Sequence, residues 1–169
     1  MSAGKSLCII GGIITLIAVY LTSWIASYGL LKVYGMGGIF SLGDLFLYAE
    51  SEAIDLNIPV WSVYIVGIGV VLTLGSGVLI LLGTKSRAPA IIGAIFPLFI
   101  GIMLLLFTLN IYIFDYLYII LAVFTTIEPL IPGVDMIPII YDIANISLGL
   151  ILLLAGSLLG LIGGIVGPE

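Results

Sequence analysis

Polar residues divide this chain into four long apolar runs. The two in the middle are the clearest. Val60–Gly83 spans 24 residues and Ala90–Leu109 spans 20, and neither contains a charged side chain. About 20 helical residues cross a hydrocarbon core of about 30 Å. A first run over about 7–27 and a last over about 143–166 have the same character. Lipid offers nothing to hydrogen-bond a peptide group, so each run is predicted to be a helix. Pro89 suits a first helical turn, where its missing N–H costs little, and Pro97 predicts a kink inside the third span.

The connections differ in kind. The 84–89 break between the middle spans is short and carries Lys85 and Arg87. The other two, 28–59 and 111–141, are long enough to hold structure. In the first, Gly35, Gly37 and Gly38 precede a predicted helix around Phe40–Ala53. In the second, Tyr118–Ile127 is uncharged but too short to add a fifth span. It extends the third span, lies in the membrane interface or packs against the first loop. Pro129, Pro132 and Pro138 then break any helix before the fourth span. Trp24, Tyr28, Trp61, Tyr64, Tyr112, Tyr116, Tyr118 and Tyr141 fit an aromatic belt at the outer headgroup level.

Basic residues set the expected orientation. Lys5, Lys85 and Arg87 fall on one side, which places both termini and the short break in the cytoplasm and the chain in the cell membrane. Lys32 is the exception. Eight acids, among them Asp44, Glu50, Glu52, Asp55 and Asp142, then lie in or beside the two outer loops. Lys5 followed by an apolar run also fits a signal peptide. The run continues to about Ile25 with a poor small-residue cleavage signal, so a retained span is expected.

Composition narrows the class. With 63% hydrophobic and 8% charged residues, a soluble domain of this chain could not cover its surface. An all-α, four-helix transmembrane bundle forming one domain is expected. Net charge is −5 and the four bases are scattered, which leaves a nucleic-acid partner without an electrostatic basis. Cys8 is the one cysteine and histidine is absent. Intramolecular disulfides, Cys/His zinc sites and histidine-based catalytic pairs are thereby excluded. No catalytic residue, cofactor site or metal site is identified. The acidic loops lack a calcium-loop pattern, and Asn145-Ile146-Ser147 is read as an accidental glycosylation match.

Small residues are the most specific pattern. Gly156, Gly160 and Gly164 line one face of the fourth span, and Gly69, Thr73 and Gly77 one face of the second, while Ala18, Thr22 and Ala26 share a face of the first. Such faces let helices approach closely in lipid, either within one bundle or between copies of the chain. A second set, Asn110, Asp115, Asp142 and Asn145, forms a candidate polar cluster near the outer ends of the third and fourth spans. It serves as helix-end and interface residues or as an ion-binding cluster. The mid-span regions lack ionisable groups, which argues against a coupled transporter.

The chain also resembles itself. Five of nine positions agree between Ile9–Ile17 and Ile91–Phe99, each following a Lys-Ser pair, and Gly75-Ser76 and Gly156-Ser157 sit at nearly the same offset. This predicts a tandem repeat of two helix–loop–helix units about an axis along the membrane normal.

Four spans, two outer loops and a short inner hairpin resemble the tetraspan plan of claudins and tetraspanins. The claudin Gly-Leu-Trp motif and cysteine pair, and the tetraspanin Cys-Cys-Gly, have no counterpart here, so no residue role is carried over. Gly4-Lys5-Ser6 with Ile9–Ile13, and Lys85–Ala88, are similar to uncharacterised archaeal four-span proteins. The expected function is structural. The protein meets membrane lipid and either self-associates as a homo-oligomer or joins other membrane proteins as an accessory subunit. An oligomeric channel for cations or small solutes is the alternative, and an enzyme is not expected.

Overall fold

The computed structural model describes residues 2–25, 32–55, 57–109, 111, 121–127, 131, 138–143 and 146–167. Four helices are long and apolar enough to cross a membrane: α1 (Ala3–Leu21), α4 (Val60–Leu82), α5 (Arg87–Thr108) and α6 (Leu148–Val166). The protein is an all-α, multi-pass membrane bundle. Between α1 and α4 lie β1 (Lys32–Val33), α2 (Gly35–Leu47) and α3 (Ala49–Asp55). Between α5 and α6 lie β2 (Thr125–Thr126), β3 (Asp142–Ile143) and β4 (Ile146–Ser147).

Each span neighbours two others, in the cyclic order α1, α4, α5, α6, and adjacent helices run antiparallel. Gly4 meets Gly167, Gly83 meets Ala90, and Gly149 meets Ser23, which fixes the two ends of the bundle. Lys5, Lys85 and Arg87 share the first end. Arg87 lies over Gly167 at the C-terminal end of α6, where a cation complements the helix dipole. In each span's most apolar stretch only 33–44% of residues are buried. The remaining surface is isoleucine, leucine, valine and phenylalanine, including Ile13, Ile68, Phe99 and Ile162, which suits a hydrocarbon surround.

The first and last spans are shorter at their outer ends than the apolar runs predict. Span one, expected over 7–27, is helical from Ala3 to Leu21. Ser2 caps its start by accepting from the Lys5 amide at 3.4 Å. Thr22 is extended, and the next residues trade helical bonds for tertiary ones. The Ser23 amide donates to the Ile139 carbonyl at 3.1 Å, and the Trp24 amide to the Val33 carbonyl at 2.8 Å. Span four, expected from 143, starts at Leu148 because Asp142–Ile143 and Ile146–Ser147 form an antiparallel pair. Span three starts at Arg87, within the break expected over 84–89, and stays helical through buried Pro97. The helix expected around Phe40–Ala53 is two helices, α2 and α3, broken at Tyr48.

The outer loops pack on the bundle and on each other. β1 pairs antiparallel with β2, with Lys32 opposite Thr126 and Val33 opposite Thr125. Trp24 is fully buried, its ring 4.8 Å from Phe124 and its indole N–H donating to the Ala18 carbonyl at 2.7 Å. It belongs to the core of the outer layer, not to the aromatic belt, because the chain turns back over α1. Trp61, Tyr64 and Tyr141 are exposed. Tyr28, Tyr112, Tyr116 and Tyr118 lie outside the described residues.

Candidate functional site

The small-residue faces meet inside the bundle. A methyl group at Gly11 would lie 2.6 Å from the Gly160 amide nitrogen and 2.8 Å from the Gly156 carbonyl oxygen. Backbone therefore touches backbone between α1 and α6. Gly156 also abuts Thr15, Gly160 abuts Ile80 of α4, and Gly164 abuts Ala90 and Ile91 of α5. The Gly156–Gly160–Gly164 line is thus occupied by three helices of the same chain. On α4, Gly77 meets Leu16 and the Gly12 carbonyl, and Thr73 is buried with its hydroxyl donating to Gly69 at 2.7 Å. Gly69 differs from these. A methyl there would meet nothing nearer than the Phe96 ring at 3.6 Å.

These approaches repeat. Gly93 of α5 sits between the Ser76 carbonyl and the Ile80 amide of α4, as Gly11 of α1 sits between the Gly156 carbonyl and the Gly160 amide of α6. Gly83 meets Ala90 as Gly163 meets Cys8. These contacts relate α5 to α1 by an offset of 82 residues and α6 to α4 by one of 80, so Gly156 corresponds to Ser76 and not, as the repeated Gly-Ser pair suggested, to Gly75. Gly160 and Ile80, which correspond, touch each other, as residues beside a twofold axis should.

Within the four spans, the buried hydroxyls of Thr15, Ser76 and Ser157 are spent locally. Thr15 donates to the Gly11 carbonyl at 2.8 Å, Ser76 to Thr73 at 2.6 Å and Ser157 to Leu153 at 2.6 Å. Such bonds satisfy the hydroxyl proton within its own helix. Among the described residues no buried side-chain nitrogen or oxygen lacks a partner, and no three His, Cys, Asp or Glu converge to hold a metal.

Of the candidate polar cluster, Asp142 is exposed in β3, with its Cα opposite that of Ser147. Asn110, Asp115 and Asn145 lie outside the described residues.

Among the described residues, the outer layer also carries an exposed apolar surface. α2 packs its small side, Gly35, Gly37 and Gly38, against Val19, Phe124 and Val70. It turns Ile39, Phe40, Phe46 and Leu47 outward. Leu47 is 77% exposed and Ile54 of α3 is 76% exposed. Phe46 stacks on Tyr64 of α4 with ring centroids 6.1 Å apart. A cleft of about 470 Å³ opens there, lined by apolar Phe46, Leu47, Ile54 and Tyr64 and by polar Glu50 and Ser51. Sequence reasoning placed a helix around Phe40–Ala53 but missed this cleft, because Phe46 and Tyr64 meet only when α2 folds back on α4. No protein-family model, curated protein or solved structure matches the chain.

Proposed function

We propose that this protein is a structural membrane protein, not an enzyme, that works by assembling through its outer layer, with copies of itself or as an accessory subunit. The carrying observation is the cleft between α2, α3 and α4, with exposed Leu47 and Ile54 at its edge. Large apolar side chains contiguous on a surface mark a contact site. The mixed lining favours a protein partner over an acyl chain, since the Glu50 carboxylate would be buried against hydrocarbon. The close-packed glycine faces support the same reading by elimination, because they are already covered within the chain. In our reading the Lys5, Lys85 and Arg87 end faces the cytoplasm and the acidic outer layer faces away from it. The four-span plan is in keeping with a claudin-like tetraspan.

Mass measurement of the protein in native lipid particles tests this. The expected result is a homo-oligomer or a fixed stoichiometry with another membrane protein. Leu47→Gln with Ile54→Gln should return a single chain. Burying each of those side chains is worth about 1.5–3 kcal/mol, so losing both weakens association by about a hundredfold or more. A wild-type protein that is a clean single chain at native lipid content overturns the proposal.

A further inference from the structure

A second, wholly different groove runs between α4 and α5. Ile65, Gly69 and Val70 line one wall, Phe96 and Phe99 the other, and Phe124 of the outer layer closes its end. Its volume is about 130 Å³. An apolar cavity of about 150 Å³ stays dry and holds a benzene-sized group, so this one takes a few methylenes of a longer chain. Gly69 creates the space. Every other member of the small-residue faces on α4 and α6 touches a neighbouring helix or is buried, whereas a side chain at Gly69 would project toward Phe96 in ordinary contact.

The occupant follows from place and chemistry. Both walls belong to membrane-crossing helices, and Ile65 and Phe99 of the lining are exposed. The medium against that surface is lipid hydrocarbon. The groove's end leads into the strand pair that carries Lys32, the single base of the outer layer. Phe124 precedes β2, and Lys32 pairs in register with Thr126, two residues further on. All the other described charges of that layer are acidic: Asp44, Glu50, Glu52, Asp55 and Asp142. A lone lysine at the headgroup level, beside a hydrocarbon seat, complements a phosphate. Lys32 is also the residue that departs from the orientation rule, and this gives it a role.

We propose that the α4–α5 groove seats one hydrocarbon chain of an anionic phospholipid from the outer leaflet, with Lys32 facing its phosphate. The seat does not depend on whether the protein self-associates.

The test uses the full chain in vesicles of phosphatidylcholine and phosphatidylglycerol, with a photoactivatable diazirine in the acyl chain of one lipid at a time. Labelled residues are mapped by mass spectrometry. Label should concentrate on Phe96, Phe99 and Ile65 over the equally lipid-exposed Leu158 and Ile162 of α6. It should be stronger from phosphatidylglycerol. Gly69→Leu fills the groove and should reduce its label to the α6 level. Gly69→Ala, whose methyl sits at ordinary contact distance, keeps the fold and should give an intermediate loss. Lys32→Gln should abolish the phosphatidylglycerol preference while leaving the groove labelled. Equal label on the groove and α6, or label unchanged in Gly69→Leu, overturns the seat. Chain-to-chain crosslinks at Phe96 and Phe99 in place of lipid label overturn it in favour of a second copy. A phosphatidylglycerol preference that survives Lys32→Gln overturns the role of Lys32.

Discussion

Gly11→Ala is the sharpest probe of the packing described above. The new methyl would lie 2.6 Å and 2.8 Å from backbone atoms of α6, whereas ordinary contact begins at 3.4 Å. Neither neighbour is the end of a side chain that can swing away. α1 must therefore retreat from α6 by about 0.6–0.8 Å, judged from those distances. A gap of about 0.5–1 Å forfeits a quarter to a half of each atom pair's attraction of about 0.1–0.2 kcal/mol, so over about 40 pairs the loss is about 2 kcal/mol. Alanine also favours the helix by up to about 1 kcal/mol relative to glycine. Gly75→Ala supplies the control for that gain, since nothing lies within 4 Å of its added methyl. The quantity to measure is the difference between the two variants, expected at about 2 kcal/mol with Gly11→Ala the less stable. Unfolding in lipid–detergent micelles with a rising denaturing-detergent fraction, followed by Trp24 fluorescence in a Trp61→Phe background, reads it directly. Gly93→Ala should cost the same, because its methyl would meet Leu79 at 2.5 Å and the Ser76 carbonyl at 2.9 Å at the matching interface. If Gly11→Ala and Gly75→Ala agree within about 0.5 kcal/mol, backbone contact between α1 and α6 is not what holds the bundle.

Two further outcomes are expected. The protein has two tryptophans, so Trp24→Phe and Trp61→Phe each leave one reporter. Brominated lipid should quench Trp61, which is 63% exposed, and spare buried Trp24; equal quenching would contradict the turned-back chain after Leu21. Trp24→Phe should also destabilise by about 1–2 kcal/mol in the same micelle titration, followed here by circular dichroism, through lost ring area and the lost bond to Ala18, and no change would refute that role. For orientation, Cys8→Ser removes the one native thiol. Single cysteines at Lys85 and at Glu50 should then react with an impermeant maleimide from opposite sides of a sealed vesicle, and labelling of both from one side would refute the proposed topology.

Much of the bundle was legible in the chain itself. Charge-free runs long enough to cross a bilayer can satisfy their peptide groups only as helices, so the existence of α1, α4, α5 and α6 follows from length and composition. The Lys-Ser-led repeat likewise anticipated that α1 and α5 would occupy matching places, because a duplicated helix pair buries the same face twice. Hydropathy failed where apolar residues are buried by protein instead of lipid. Trp24 and Ile25 read as the end of a span, yet they fill the outer layer beneath Phe124 and Val33, and a hydropathy profile cannot tell one apolar surround from the other. Three further facts were decided only by tertiary structure. Glycine spacing alone could not say whether Gly156, Gly160 and Gly164 meet helices of the same chain or of another, since both need the same face. Gly69 shares the spacing of Gly77 but borders a groove, because the helix opposite it presents Phe96 where the one opposite Gly77 presents Gly12. The cleft of Phe46 and Tyr64 exists because α2 folds back on α4, a contact between residues far apart in the chain that no local pattern encodes.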